Sequence, residues 1–388
     1  MTDIIVREAK AGDAQAICDI FYAVYADTYA YPEYYDPDTV LRFIYNDDVL
    51  VLVAEDTNSK AILGTASVIM SVGAHNDLVG EFGRLAVHPN GQCKGIGRLL
   101  MEARINLVKD RLHMALVEPR TAHPYSQKIS DKYAFVNVGF LLCKHGFERR
   151  ESVALCVRYF KSPEFLRRNH PKLIPEAYRL ANIALLRCEI RDDVIADDHS
   201  DVLPYYDDYT ASEMQAKGYA ALLHFERGRI SHRYIFGPQR LHYGLFQLKA
   251  SHSTYITATR DDVLEGAIGF MFDPHEKLVK VLEVISLDER CIQFLLKRLL
   301  LTCNALKAAF IEVDVSAYAP GFQRSLYALG FRPMAYIPAM VFHQVERLDV
   351  LRMGLVLCDA SESQDEFIAS NQTIADLVKE SCYTKELS

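Results

Sequence analysis

The chain of 388 residues contains no tryptophan, no C-x-x-C pair, and only 19 glycines and 14 prolines. So few Gly and Pro exclude collagenous and low-complexity chains. No uninterrupted apolar run approaches the roughly 18 residues of a membrane-crossing helix, which excludes a helical membrane span. Excess positive charge is also missing. The formal net charge is −8, which argues against nonspecific nucleic-acid binding. The nine cysteines are scattered and odd in number, so neither a disulfide framework nor a zinc site is suggested, and most read as buried small hydrophobes. MTDIIVREAK carries charge from Asp3 onward and lacks the apolar core of a secretory signal. The expected location is therefore cytoplasmic, with no membrane and no nucleic acid among the partners.

What is present is ordinary globular composition, 50% hydrophobic and 24% charged, over a length that suits two or three domains. Strand-like and helix-like stretches alternate through residues 1–160. IIVREA reads as a strand and DAQAICDIFYAVYAD as an amphipathic helix, with Ile17, Ile20, Phe21 and Val24 three and four apart. VLVLVAED, ILGTASVIM and VGEFGRLAV read as strands, and a helix follows from about Gly95 to Asp110. MALVEP, PYSQKISDKYAF and SVALCVRYF read as strand, helix and closing strand. The order implies an α/β fold, an α+β mixed sheet covered by helices. Residues 161–240 read as a broken helix and an acidic, turn-rich connection. Residues 241–358 repeat the first domain's order from its second strand onward, with MAYIPAMVF as the last strand. From Asp359 seven acidic residues face two lysines, so 359–388 reads as a solvated acidic tail with a short helix near TIADLVKES.

The segment richest in chemistry runs from Glu81 through Leu85-Ala86-Val87-His88-Pro89 to Gln92-Cys93-Lys94-Gly95-Ile96-Gly97-Arg98. Its glycines stand where a strand passes through a tight loop into a helix. Glycine permits positive φ and lets backbone N–H groups approach a ligand. The first N–H groups of a helix lack internal partners and sit at the positive end of its dipole, a setting that suits a pyrophosphate. Lys94 and Arg98 stand ready to add charged contacts.

Gln92-x-x-Gly95-x-Gly97 after Leu-Ala-Val-x-Pro resembles the signature of the GNAT N-acyltransferases, and the element order over residues 1–160 fits that family as well. The resemblance implies the GNAT acyl-CoA N-acyltransferase fold, with two GNAT-like domains in tandem, and acetyl-CoA or another acyl-CoA as cofactor. It places Gln92, Cys93, Lys94, Gly95, Ile96, Gly97 and Arg98 on the pyrophosphate and Leu85, Ala86 and Val87 along the pantetheine arm. It also assigns His123 and Ser126 to the cofactor. A bulge in the Leu85–Val87 strand is expected to open the cleft. The reaction implied is direct attack of a neutral amine on the thioester.

Such a reaction needs a base, and the resemblance puts it at Glu81. A regular strand places Glu81 on the face of Leu85 and Val87, and burial in an apolar cleft is expected to raise its pKa. His75 and His123 are the alternatives. The family's acid is a tyrosine in N-x-x-A-x-x-L-Y-x-x-x-G-F, and here Ser130 falls at the tyrosine's place, leaving Tyr125 and Tyr133 as substitutes. The HPYSQK run resembles a bacterial subgroup of the family. Tyr29, Tyr31 and Tyr34 lie where the family walls its acceptor pocket, and cation–π contacts suit an amine. The expected acceptor is a small-molecule or protein amine, and the chain is expected to be a monomer or homodimer.

The second repeat has no Q-x-x-G-x-G. Asp288-Glu289 stand at the phosphate position, where Coulomb repulsion disfavours CoA. It resembles a degenerate GNAT domain, kept to shape the acceptor pocket or only for stability. A non-enzymatic acyl-CoA-binding sensor is the alternative reading of the whole chain.

Overall fold

In a computed structural model the described residues are 4–29, 31–72, 77–146, 149–215, 234–236, 253–360 and 365–383. Runs of β-branched and apolar residues, such as VLVLVAED, are buried on both faces and form the strands of one mixed sheet. The first half supplies β1 (Ile4–Glu8), β2 (Val49–Asp56), β3 (Ile62–Val72), β4 (Val79–Val87), β5 (Met114–Val117), β6 (Val136–Gly146) and β7 (Arg150–Tyr159). Its helices are α1 (Ala14–Tyr25), α2 (Pro37–Ile44), α3 (Ile96–Val108) and α4 (Tyr125–Lys132). Between the halves lie α5 (Pro175–Arg187) and a two-strand ribbon, β8 (Lys172–Leu173) with β9 (Ile195–Ala196). The second half supplies β10 (Thr210–Gln215), β11 (Ser253–Arg260), β12 (Val263–Asp273), β13 (Leu278–Ser286), β14 (Phe310–Ser316), β15 (Arg332–His343) and β16 (Glu346–Val356). With them come α6 (Ile292–Ala305), α7 (Pro320–Ala328) and α8 (Ala369–Tyr383).

The 14 strands run in the order β1-β2-β3-β4-β5-β7-β6-β15-β16-β14-β13-β12-β11-β10. From either edge the order reads the same, with β10 matching β1 and β15 matching β6. The halves meet at Ala335 opposite Gly139, where a Cβ on the glycine would lie 2.1 Å from the Ala335 Cβ. Only glycine allows that approach.

Three regions depart from the sequence reading. The second half begins at β10, so the connecting region drawn as 161–240 holds a sheet strand. Its helix α5 is core rather than linker, with Ala177, Leu180, Ala181 and Ala184 buried. β6 and β16 are strands beyond those expected from the sequence; in β16 the buried Arg347, Asp349 and Arg352 interrupt the apolar pattern. The acidic tail is not a solvated appendage. In α8, Ile374, Ala375 and Val378 are buried against the core shared with β6 and β15. Asp365 accepts a hydrogen bond from Thr121 at 2.6 Å, and Gln127 Oε1 receives Asn371 Nδ2 at 2.9 Å. Burying those apolar groups outweighs the solvation that composition alone suggests. Among the described residues no helix is long and apolar enough to cross a membrane.

Candidate acyl-transfer site

The site begins with a defect in β4. Gly83 opposes Ser67 and Ala86 opposes Thr65, so Arg84 and Leu85 together face one residue of β3. Arg84 takes φ +55, the left-handed conformation of a bulge. Arg104 of α3, fully buried, donates from Nη1 to Ser67 O and Gly83 O at 3.3 Å each and so pins the disrupted ladder. Beyond the bulge β4 leaves β5. Their parallel pairing covers only Val79–Phe82 against Met114–Val117, and the sheet splays open after it. His88 N–H donates to Leu63 O at 2.9 Å, so alternation turns the backbone groups of Leu85 and Val87 into the splay.

The bulge also corrects the expected position of Glu81. With one extra residue between them, Glu81 and Val87 point to opposite faces of β4. Leu85 and Val87 pack toward α3, with Phe82, Ile96 and Leu100. Glu81 forms an ion pair with Arg84 instead, and Arg84 lies 4.7 Å from the Tyr31 ring centroid. Burial pushes the Glu81 carboxyl up, but the Arg84 guanidinium and the charge of Lys280 outweigh it, so the net shift is downward. The expected rise does not occur. The side chain still keeps 38% of its surface open, enough to meet a ligand.

At the C-terminal end of β4 the chain enters the glycine loop. Cys93 takes φ +62 and Gly95 φ +76, the latter as N-cap of α3. A Cβ on Gly95 would meet nothing within 4 Å, so the space beside it is open. The backbone N–H groups of Cys93 through Gly97 have no acceptor among the described residues. At Gly97 a Cβ would stand 3.1 Å from Ile129 of α4, so that glycine serves helix packing.

A cleft open to solvent runs along the splay. Tyr25, Tyr29 and Tyr31 line it, together with Met101 and Arg104 of α3 and with His123, Ser126 and Ser130. Ser126 Oγ and His123 Nδ1 are buried with no hydrogen-bond partner. Burial and the charge of Arg120 push the His123 imidazole below its ordinary range, so it is neutral at pH 7. Unpartnered N–H groups in the glycine loop, a splayed strand edge and two orphaned polar atoms in the cleft are the kinds of group that fit the pyrophosphate and amide-bearing arm of CoA.

Several residues singled out from sequence fall elsewhere. Tyr34 does not line the cleft; its ring packs 4.5 Å from Phe21 and 5.4 Å from Phe43. Tyr125 is 71% exposed outside the cleft. Tyr133 points its hydroxyl at Arg98 O, 3.2 Å away, on the outer side of α3. Neither tyrosine stands in the cleft as an acid. His75 lies outside the described residues. Sequence reasoning missed Arg84, Glu118, Arg120 and His145, all of which line the cleft. Glu118 was visible as the single charge ending MALV; His145 had no signal, because β6 itself was not read. Arg120 holds Glu151 through Nε and Nη2, both at 2.8 Å.

Residues 47–149 match the family model of the acetyltransferase (GNAT) domain. No curated protein matches the chain. Among solved structures the chain is similar to the spermidine/spermine N-acetyltransferase SpeG from Vibrio cholerae, at 18% identity and TM-score 0.35 over 41% of this chain and 95% of that one. It is also similar to yncA, a putative acetyltransferase from Salmonella typhimurium with its cofactor acetyl-CoA, at 19% identity and TM-score 0.37 over 41% and 94%. The ribosomal-protein-S5-alanine acetyltransferase from Vibrio fischeri gives 18%, TM-score 0.37, 42% and 95%. Those likenesses are distant, whereas the family match covers the bulged strand, the glycine loop and α3 together. Within the chain, residues 47–149 thus make up an acetyltransferase domain of the GNAT type.

Proposed function

We propose that the chain transfers the acetyl group of acetyl-CoA to an amine of a small-molecule or protein acceptor held in this cleft. The observation that carries the reading is the run of unpartnered N–H groups from Cys93 to Gly97 at the mouth of the β4–β5 splay. Those groups, with Lys94 and Arg98, would hold the pyrophosphate. Leu85 and Val87 would pair with the pantetheine arm, and Ser126 and His123 would meet its polar atoms. When bound, acetyl-CoA supplies an activated thioester carbonyl.

The chain's own residues supply the rest. The Tyr31 and Tyr29 rings and the Glu81 carboxylate form one wall, which suits an ammonium group. Glu81, kept ionised by Arg84, takes the acceptor's proton as its amine turns nucleophilic. No tyrosine hydroxyl of α4 reaches the cleft, and a thiol of pKa about 8.5 leaves without one near neutral pH. The second half supports the reading of a degenerate repeat. The turn before α6 is closed by its own Asp288, which accepts Arg290 N–H at 2.9 Å. The edge of β14 beyond its pairing with β13 is covered by Tyr234–Phe236, with Phe236 N–H donating to Asp314 O at 2.7 Å.

The test is thiol release from acetyl-CoA across a panel of polyamines, amino acids, aminoglycosides and peptides. Amine-dependent release, with mass spectrometry finding the acetyl group on nitrogen, supports the proposal. Micromolar acetyl-CoA binding without turnover on any amine overturns it in favour of a sensor.

A further inference from the structure

The half that lacks a phosphate loop reaches into the cleft of the half that has one. His145 and Glu118 both line that cleft, and both are held from across the seam. His145 Nδ1 lies 3.2 Å from Glu276 Oε2, in the turn between β12 and β13, and its Nε2 lies 3.5 Å from Glu118 Oε2. Glu276 is fixed in turn. The same Oε2 accepts Gly146 N–H at 2.8 Å, and Arg150 Nη1 donates to Glu276 O at 2.6 Å. Glu276 Oε1 is buried without a hydrogen bond. Glu118 receives Lys144 Nζ at 2.8 Å and Arg352 Nη1, from β16, at 3.2 Å. Lys144 Nζ also meets Glu312 of β14 at 2.8 Å.

An ionic cluster that only glued two halves together would be replaceable by apolar residues, often with a gain in stability. This one ends on a catalytic cleft. We propose that the second half works inside the first half's site: Glu276 holds His145 as an imidazolium on the cleft wall, and Arg352 fixes Glu118 beside it. The acceptor thereby meets a paired cation and carboxylate beside Glu81. Glu276 and Arg352 are positioning residues, and the inference rests on the acetyl-transfer reading given above.

The groups facing His145 agree with that role. Glu118 and Glu276 touch the ring, Lys144 precedes it on β6, and Glu151 of β7 pairs with its backbone and is itself occupied by Arg120. Arg150 and Arg352 are spent on Glu276 and on Glu118 with Asp314. Burial pushes the imidazole down, but hydrogen bonds to Glu118 and Glu276 prevail and bring it up to about 9. The ring is therefore charged throughout the neutral range and loses its proton only in alkaline solution.

Two measurements on the full chain test this: the NMR titration of the His145 ring in histidine-labelled protein, and the pH profile of kcat/KM for the acceptor. The ring is expected to titrate far above a free histidine, with an alkaline limb of activity at the same pH. Glu276→Gln, of equal shape, should move both down by about one pH unit or more, and His145→Gln should abolish the limb. A ring titrating in the ordinary histidine range in the unaltered chain overturns the inference. So does a limb that stays in place when E276Q moves the ring, or that survives in H145Q, the variant that decides if E276Q does not fold. A chain with no acyl transfer to any amine overturns the proposed function instead, and the ring titration with and without E276Q then decides the inference alone.

Discussion

The two halves share one strand order and differ at one turn and one groove. Before α3 the chain offers unpartnered N–H groups from Cys93 to Gly97, with Gly95 in a conformation that leaves open space beside it. Before α6 the equivalent turn is closed by Asp288, and Cys291 is buried at its end. Past the pairing of β4 with β5 the first half leaves a groove; past that of β13 with β14 the second half fills it with Tyr234–Phe236. On the proposed reading, anion binding is a property of a few backbone groups rather than of the fold. In the second half a carboxylate supplied from within already takes one such donor, the Arg290 N–H.

The sharpest way to break this comparison is to give the first half the second half's chemistry. Gly95→Asp places a side chain at φ +76 and a negative charge in the cradle, and should weaken CoA binding by about 100-fold or more, roughly 3 kcal/mol; calorimetry showing unchanged affinity would mean the loop is not the cradle. Next in size, Glu81→Gln should lower kcat about 100-fold with CoA affinity intact. Steady-state kinetics showing unchanged kcat and pH profile would remove Glu81 from the proton-accepting role. A smaller effect falls on the seam both halves share. Ile374→Ala in α8, at 0% exposure, should cost about 2–4 kcal/mol in urea unfolding; a cost below about 0.5 kcal/mol would return α8 to the status of an appendage. Least of all, Asp288→Ala should cost about 1 kcal/mol of capping and leave one CoA bound per chain. A second equivalent of CoA in that variant would show the second half to be an intact site hidden by one carboxylate.

Much of the first half was legible because its signals are local. The glycine loop, the apolar spacing of α3 and the strand before it lie in consecutive residues, and their backbone chemistry alone is what the proposed anion site uses. The tyrosines were partly legible: Tyr29 and Tyr31 wall the cleft, while Tyr34, with the same residue type and neighbourhood, turns into the core against Phe21 and Phe43. The acid candidates failed for a related reason. Tyr125 and Tyr133 bracket α4, but neither of its ends points a hydroxyl at the cleft. Strand β16 was illegible because a buried ion network requires Arg347, Asp349 and Arg352 where periodicity expects apolar residues.

Local pattern was enough to reveal the mixed sheet, the glycine loop, the likeness between halves and the half that lacks the loop. Each of these rests on neighbouring residues, whose backbone geometry and spacing are set before the chain folds further. Long-range packing sets the face on which Glu81 stands, the burial of α8 and the arrival of Glu276 and Arg352 at the cleft. A single bulged residue reverses the alternation of β4, and the apolar face of α8 outweighs its acidic surroundings. Meeting across the seam joins residues more than 100 positions apart, as His145 and Glu276 are, and no local pattern encodes such a pairing.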